Sequence, residues 1–263
     1  MVSIVIPVYN AEAFIKDTMQ SVIDQTYTDW EMILVDDQST DGSARVIEKV
    51  IAEYPKARIR LIKLSEGGSA ARARNAGIEA AQGRYIAFLD ADDVWYPEKL
   101  QKETEFLEGL QKSDKAETEN AGFVFTAYEF GDENAKPNGR MTKVPEKLTF
   151  RKALSRTVIF TSTVLIDTEV INKELIHMPQ IPSEDTATWW RILKEGYTAY
   201  GLKEPLVIYR RPVNSLSSNK GVAVKRIWKL YREVAKLNVI QSCWYLVRWA
   251  FKATFRRVVP RKQ

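Results

Sequence analysis

The sequence is poor in the side chains that most often serve as nucleophiles and zinc ligands. Its 263 residues include one cysteine, Cys243, and one histidine, His177. A single cysteine excludes a disulfide framework and is typical of a reducing compartment. Several Cys and His ligands are not available for a zinc site, and a Ser-His-Asp triad would have only His177 to use. If the protein is an enzyme, we therefore expect carboxylates to be its acids, bases and metal ligands.

Long apolar runs and the common phosphate-binding motifs are also missing. No stretch approaches the roughly 18 uncharged apolar residues of a membrane span. The opening MVSIVIPVYN has no basic segment before its apolar run and predicts no signal peptide. The absence of G-x-x-x-x-G-K-[ST] and G-x-G-x-x-G disfavours an ATPase or a dinucleotide-binding fold. These absences together indicate a cytoplasmic protein.

Charge is distributed unevenly along the chain. The net charge is +5, but twelve of the 39 Lys and Arg residues and only one of the 34 acids lie between Lys220 and Gln263. That segment therefore carries +11 and the preceding 219 residues carry −6. This asymmetry predicts two functional regions, a body over 1–219 and a basic tail over 220–263.

Strand and helix patterns alternate over the first hundred residues. The patterns predict four strands at 2–9, 31–35, 58–64 and 85–90, with helical patterns between them, and the first and fourth strands read as buried. This alternation predicts an α/β fold with a mainly parallel sheet and right-handed crossovers. Later patterns predict strands at 123–130, 161–166 and 205–211 and an N-capped helix that begins at 183 and stops at Gly196.

Polar or acidic residues follow three of the four early strands. The segments are PVYN, DDQSTDG and DADD, the last of which contains Asp90, Asp92 and Asp93. Ligands of open α/β sheets bind beyond the carboxyl ends of the strands, where clustered acids require a cation or hydrogen-bond donors. Asp-x-Asp can hold a hard divalent cation together with a ligand's phosphates. The alternative for any one segment is an ordinary Asp-rich turn.

Two groups of basic residues have an open interpretation. Gly67 and Gly68 precede a helix with Arg72 and Arg74, which predicts either a ligand beside this backbone and Arg74 or a solvated arginine face. Arg210 and Arg211 either close over a diphosphate or form a solvated basic turn.

Four segments carry a resemblance to a known family: VSIVIPVYNAEAFI, QTYTDWEMILVDDQSTDGS, ARNAGIEAAQGRYIAFLDADD and SEDTATWWRILKEG. They resemble the family-2 glycosyltransferases with the GT-A fold, over roughly Val2 to Asn219. The resemblance implies transfer of a sugar from a nucleotide-diphosphate donor, most commonly a UDP-sugar, to an acceptor hydroxyl with inversion at the anomeric carbon.

The resemblance also assigns site residues. Asp90-Ala91-Asp92 matches the family's D-x-D motif, in which Asp92, with Asp90 beside it, would bind Mg²⁺ or Mn²⁺ on the donor's diphosphate. Other matches supply the nucleotide-binding residues Pro7, Tyr9 and Asp36, with Asp37 as a neighbouring candidate, and Arg74 near the donor phosphates.

A second acidic motif, Ser183–Asp185, supplies the expected general base. By the resemblance Asp185 is the base, while Glu184 and Asp93 are supporting or acceptor contacts. A helix N-terminus is expected to lower the pKa of Asp185. The alternative is that this motif only caps the helix. His177 is interpreted as a loop residue with a structural hydrogen bond, and Trp189 and Trp190 as core.

The basic tail predicts an amphipathic helix. On a helix, Arg248, Lys252 and Arg256 would lie beside an apolar face made of Ile240, Cys243, Trp244, Val247, Phe251, Phe255 and Val258. Such a helix suits an anionic membrane surface. We therefore expect a peripheral protein at the inner face of the membrane with a lipid-linked glycan acceptor. Packing on the catalytic domain is the alternative, and nucleic acid is not expected as a partner.

Two rival functions lead to different expectations. A sugar nucleotidyltransferase should have a glycine- and arginine-rich loop after the first strand, which PVYNAEAF lacks. A non-catalytic module that binds nucleotide sugar or membrane need not bring Asp92 and Asp185 to one cleft.

Overall fold

The first half of the chain alternates strands and helices, as predicted. A computed structural model describes residues 1–113, 118, 120–210, 220–254 and 259–260. The first-half elements are β1 (Val2–Val8), α1 (Ile15–Ile23), β2 (Trp30–Asp36), α2 (Ser43–Glu53), β3 (Ile59–Lys63), α3 (Ala70–Ala80) and β4 (Tyr85–Phe88). Strand β1 pairs in parallel with β2 and β4, and β3 extends the sheet beyond β2.

The second half is mixed, and it adds antiparallel strands to the parallel sheet of the first half. Its elements are β5 (Val94–Trp95), α4 (Lys99–Gln111), β6 (Phe123–Gly131), β7 (Pro137–Met141), β8 (Lys147–Leu148), α5 (Phe150–Ala153), β9 (Val164–Asp167), α6 (Lys173–Ile176), α7 (Glu184–Lys194) and β10 (Ala199–Arg210). Strand β9 lies antiparallel between β4 and β6, whereas β10 runs parallel to β6. Antiparallel neighbours need no crossover helix, so the helical periodicity that predicts parallel pairing is lost here.

Helices cover both faces of the sheet. In β1, Ile4 and Ile6 join a core with helices α1, α2 and α4, whereas Val5 joins a core with α3 and α7. Successive side chains of a strand point to opposite faces, so this division follows from the sequence. Trp189 and Trp190 of α7 are buried in the second core, which confirms their interpretation as core residues.

The basic tail packs on the rest of the chain as two helices. These are α8 (Lys220–Lys229), continued by a π-helical turn (Leu230–Val234), and α9 (Val239–Thr254); strand β11 (Val259–Pro260) then pairs with β7. Tyr231 stacks on Trp190 with ring centroids 5.4 Å apart. No helix in the described ranges is long and apolar enough to cross a membrane. The predictions for Arg211, Phe255, Arg256 and Val258 fall outside the described residues.

Candidate active site

The carboxyl ends of β1, β2 and β4 open into one cleft of about 780 Å³. The glycine segment before α3 forms another of its walls. The cleft therefore joins the acidic strand ends and the glycine segment that the sequence analysis singled out. Its lining includes seven of the predicted site residues: Pro7, Tyr9, Asp37, Arg74, Asp90, Ala91 and Asp92.

Two loops that line the cleft each contain a residue in the left-handed backbone conformation. Asn10 and Gln38 have φ angles of 48° and 62°, a conformation that non-glycine residues adopt rarely and most often at functional sites. Asp37 accepts a hydrogen bond from the backbone N–H of Gly68 at 3.0 Å. Asp36 is buried and accepts from the N–H of Ser39, and it is not part of the cleft lining. Of the two neighbouring aspartates, Asp37 is therefore the one that reaches the cleft.

The three aspartates after β4 have separate environments. Burial, and then the charge of Asp90, raise the pKa of Asp92 to about 6. Asp93 is fully buried behind the cleft wall and accepts hydrogen bonds from Ser162 Oγ at 2.6 Å and the N–H of Arg210 at 3.2 Å. The expected alternatives for Asp93 included an acceptor contact, but its burial leaves only the supporting role.

Arg74 connects the two acidic motifs. Its Nη2 lies 2.6 Å from Asp90 Oδ1 and its Nη1 lies 2.7 Å from Glu184 Oε1. The side chain is buried, so the alternative of a solvated arginine face is wrong for this residue. Because Asp90 follows β4 and Glu184 begins α7, one guanidinium holds elements about a hundred residues apart in the sequence at the same site.

Asp185 lies beside this ion-pair cluster in the first turn of α7. Its Oδ2 accepts a hydrogen bond from Thr161 Oγ1 at 3.2 Å, and its Oδ1 accepts from the N–H of Thr186 at 2.6 Å. Burial, and then the charge of Glu184, raise its pKa above the ordinary value. The expected lowering by the helix N-terminus is therefore wrong, because burial and a like charge outweigh the helix end.

The capping interpretation of this segment is also wrong. Ser183 has a left-handed backbone with φ of 62°, and its side chain makes no capping hydrogen bond. The helix begins here without the N-cap that the residue types predicted.

The structure adds supporting contacts that the sequence reasoning missed. Arg210 is buried, donates from Nε to the carbonyl oxygen of Asp92 at 2.7 Å and lies over the ring of Phe14. It therefore neither forms a solvated turn nor faces the cleft, and it supports the D-x-D turn from behind. Thr18 Oγ1 lies 2.9 Å from the carbonyl oxygens of both Ala91 and Asp93. No local signal marks these residues, since each acts on a turn far away in the sequence.

The donor set fits a divalent cation that is shared with a bound diphosphate. Within the described ranges, no group of three or more Asp, Glu, His or Cys side chains could hold a metal ion unaided. Asp92 lines the cleft, while Asp90 Oδ1 is already engaged by Arg74. Mg²⁺ is commonly held by one or two carboxylates together with substrate phosphates and water. Asp92, with Oδ2 of Asp90 as a second candidate, matches that pattern.

Comparison with known proteins settles the family. The profile of Glycosyl transferase family 2 matches residues 3–163, more than half of the chain. This chain belongs to glycosyl transferase family 2. It is 42% identical over 259 residues to TuaG of Bacillus subtilis (strain 168), whose name assigns it to teichuronic acid biosynthesis, and 98% of each chain is covered. It is 32% identical over 250 residues to WfgD of Escherichia coli, named a UDP-Glc:alpha-D-GlcNAc-diphosphoundecaprenol beta-1,3-glucosyltransferase, covering 95% of this chain and 92% of that one.

Solved structures of other transferases share the fold of this family 2 chain. S. aureus TarS 1–349 in complex with UDP-GlcNAc matches with a TM-score of 0.68 and 19% identity, over 97% of this chain and 73% of that one. The mannosyltransferase PcManGT from Pyrobaculum calidifontis, in complex with GDP-Man and Mn²⁺, matches with a TM-score of 0.65 and 17% identity, over 99% and 76%. At these identities the likeness confirms the expected fold, and the family confirms a glycosyltransferase.

Proposed function

We propose that this transferase moves a sugar from a UDP-sugar to a hydroxyl of a lipid-linked glycan during cell-surface polysaccharide synthesis, with inversion at the anomeric carbon. The observation that supports the proposal most is the Arg74 bridge, in which one guanidinium contacts Asp90 of the D-x-D motif and Glu184 of the second acidic motif. A non-catalytic module would not require that arrangement. The relatives TuaG and WfgD support the class of pathway and the lipid-linked acceptor.

The donor would occupy the cleft between Tyr9 and the D-x-D turn. Pro7, Tyr9 and Asp37 would contact the nucleotide, and Arg74 would lie near the diphosphate. Mg²⁺ or Mn²⁺ held by Asp92 would neutralise the negative charge that develops on the leaving diphosphate. Burial and the charge of Asp90 disfavour the ionised form of Asp92, and a bound cation would stabilise that form.

The acceptor hydroxyl needs a base, and we assign that role to Asp185. A carboxylate of ordinary pKa is a weak base at neutral pH, and a raised pKa makes it a stronger one. Burial supplies that increase here, while Thr161 and the N–H of Thr186 stabilise the ionised form. Asp185 would accept the hydroxyl proton as the acceptor oxygen attacks the anomeric carbon from the face opposite the leaving diphosphate.

The test is release of nucleoside diphosphate from a panel of UDP- and GDP-sugars, with Mn²⁺ or Mg²⁺ against EDTA. We expect slow, metal-dependent hydrolysis of one donor and its loss in Asp92→Ala. Asp24→Ala is the matched control, because Asp24 is an exposed aspartate at the end of α1 that does not line the cleft. If neither hydrolysis nor transfer occurs with any donor in the presence of metal and a lipid-linked acceptor, the proposal is wrong.

We also propose that α9 docks on an anionic membrane. The helix has two opposite faces: Ser242, Tyr245, Leu246 and Trp249 are turned towards the protein, while an apolar stripe is exposed to solvent. Trp249 donates to Thr157 Oγ1 and Lys252 to Ser155 Oγ, which fixes the inner face. The exposed stripe consists of Ile240, Trp244, Val247 and Phe251, which are 61–82% exposed.

The basic residues beside the stripe favour a lipid surface over a protein partner. Arg248 lies over the ring of Trp244 at 5.6 Å, at the margin of the stripe. Basic side chains flanking exposed tryptophan and phenylalanine are typical of helices that lie in the plane of an anionic bilayer. This arrangement would hold the transferase peripherally at the inner face of the membrane, next to a lipid-linked acceptor.

Vesicle co-sedimentation tests the docking. We expect binding to vesicles that contain anionic phosphatidylglycerol, weaker binding to neutral phosphatidylcholine, and at least a tenfold loss in the double variant Trp244→Ser/Phe251→Ser. Val222→Ser, at an exposed valine of α8, should bind as the unaltered protein does. Equal binding by the double variant would contradict the docking face.

A further inference from the structure

A single helical turn between the two halves of the site contacts both of them. The 3₁₀ helix Thr161–Thr163 precedes β9, and all three of its side chains are buried. Its hydroxyl groups therefore have to find partners within the protein. Two of them bond to the acidic motifs of the site and the third bonds only within its own turn.

Ser162 holds the D-x-D turn. Its Oγ donates to Asp93 Oδ2 at 2.6 Å and accepts from the backbone N–H of Asp90 at 3.0 Å. Its own position is fixed, because its carbonyl oxygen accepts from Trp95 Nε1 at 2.8 Å. One hydroxyl thus bonds to both ends of the turn that carries Asp92.

Thr161 holds the proposed base. Its Oγ1 donates to Asp185 Oδ2 at 3.2 Å, and Oδ1 of the same carboxylate is held by the N–H of Thr186. Both oxygens therefore have a donor, which fixes the orientation of the carboxylate. Thr161 and Ser162 are adjacent in the chain. The residue that bonds to the base and the residue that bonds to the D-x-D turn are therefore joined by one rigid peptide unit.

We propose that the Thr161–Thr163 helix is a positioning element for sugar transfer, in which Ser162 fixes the D-x-D turn and Thr161 orients Asp185 relative to it. This inference rests on the proposed function. The donor's anomeric carbon is located by the diphosphate, and the acceptor hydroxyl is located by the base. The reacting atoms must approach within about 3–3.5 Å in a defined direction, and an error of about 1 Å costs on the order of 100-fold in rate.

Ser162→Ala tests the first arm without any turnover. Calorimetric titration of UDP with Mn²⁺, and with EDTA, measures the metal-dependent part of binding. We expect the alanine variant to lose about tenfold in apparent Mn²⁺ affinity, as is typical when a group that supports a metal ligand is removed, while UDP binding in EDTA is unchanged. Mn²⁺ affinity equal to that of the unaltered protein would overturn this arm.

Thr161→Val tests the second arm, because valine keeps the size and branching of threonine and removes the hydroxyl. Mn²⁺-dependent UDP binding should be unchanged while kcat falls about tenfold. Loss of a hydrogen bond to the ionised carboxylate should also move the acidic limb of the kcat/KM profile up by about one pH unit. Thr161→Ser should restore both the rate and the profile.

Thr163→Val is the matched control for damage to the helix. Thr163 Oγ1 donates to the carbonyl oxygen of Phe160 at 2.6 Å, within the same turn, and has no hydrogen bond to either acidic motif among the described residues. If Thr161→Val and Thr163→Val give the same kcat and the same pH profile, Thr161 is merely structural and the proposal is overturned. Failure of the proposed function gives a different result, since the unaltered protein would then bind no UDP with Mn²⁺ and turn over no donor.

Discussion

Two ion-pair clusters of this protein differ in what they connect and in where they lie. Arg74 joins Asp90 and Glu184 on the wall of the cleft and links three separate elements. Lys99 and Glu103 pair at 2.5 Å within one turn of α4, fully buried, with the ammonium 4.0 Å from the centre of the Trp95 ring. Burial lowers the pKa of Lys99 and raises that of Glu103 to about 7.

The difference shows that burial of charge does not by itself mark a functional site. Burial shifts the pKa of both Lys99 and Glu103, yet neither residue lines the cleft of the candidate site and the pair joins residues of a single helical turn. Arg74 is functional by our account because its carboxylate partners carry the two acidic motifs of the transferase. The following predictions separate these two roles, beginning with the largest expected effect.

Arg74→Met should impair both activity and stability. Removing the guanidinium leaves two partly buried carboxylates without their cation, which costs about 3–5 kcal/mol in the free energy of unfolding. Displacement of either motif should also reduce turnover by about 100-fold or more. Urea unfolding and donor turnover, measured on the same preparation, check the two effects.

Arg74→Lys is the informative control. A lysine keeps the positive charge but cannot bond to two carboxylates in the geometry of the guanidinium fork. Stability should recover substantially while turnover stays low. Full recovery of turnover would show that charge alone, and not the bridge between motifs, is what the site needs.

Lys99→Met should impair stability alone. It leaves Glu103 buried without a partner, at a cost of about 3–5 kcal/mol in the free energy of unfolding. The double variant Lys99→Met/Glu103→Leu, which replaces the pair with apolar groups of similar volume, should regain most of that loss. Turnover per folded molecule should remain that of the unaltered protein in both variants, and a large fall in either would place α4 in the catalytic machinery.

The stability of Lys99→Met should fall as the pH rises. The folded pKa of Glu103, about 7 with Lys99 present, lies above the ordinary value of 4.5, so the native state keeps a proton that the unfolded chain has released. Lys99 lowers that pKa, so in Lys99→Met it lies above 7. The advantage of the protonated form is complete below about pH 4.5 and is lost as the pH rises through 7 and beyond, by at least about 3 kcal/mol in total. Urea midpoints between pH 5 and pH 8 measure the slope, and the double variant should lack it.

His177→Gln should have the smallest effect. His177 Nε2 contacts Glu79 at the protein surface, in agreement with the structural interpretation of the lone histidine. An exposed pair of this kind contributes about 0–1 kcal/mol to stability. Turnover should be unchanged. A loss of more than tenfold would indicate that His177 takes part in catalysis.

Much of the first half could be predicted from residue order. Strands β1, β2 and β4 are largely apolar because both of their faces are covered, and polar loops follow them at the edge where ligands bind. Local sequence patterns indicate both the buried strands and the polar loops directly. The second half could be predicted as mixed, but not its strand pairing, because antiparallel pairing leaves no periodic sign in the sequence.

The supporting contacts of the site could not be predicted. Ser162, Thr18 and Arg210 act on a turn that lies 69 to 118 residues away in the sequence, and nothing in their local sequence indicates it. The predicted direction of the pKa shift of Asp185 was wrong for a related reason. Its helix position is visible in the sequence, whereas the burial that outweighs it is set by the whole fold.

The most direct test of the account is Asp185→Asn with the identified donor and acceptor, measured as sugar transfer and, separately, as Mn²⁺-dependent UDP binding. Asparagine keeps the shape of the side chain and cannot accept the hydroxyl proton. The account predicts a loss of transfer of about 100- to 10,000-fold, in the range expected for a general base, with UDP binding unchanged. Transfer within threefold of the unaltered protein would contradict it and would show that another group activates the acceptor.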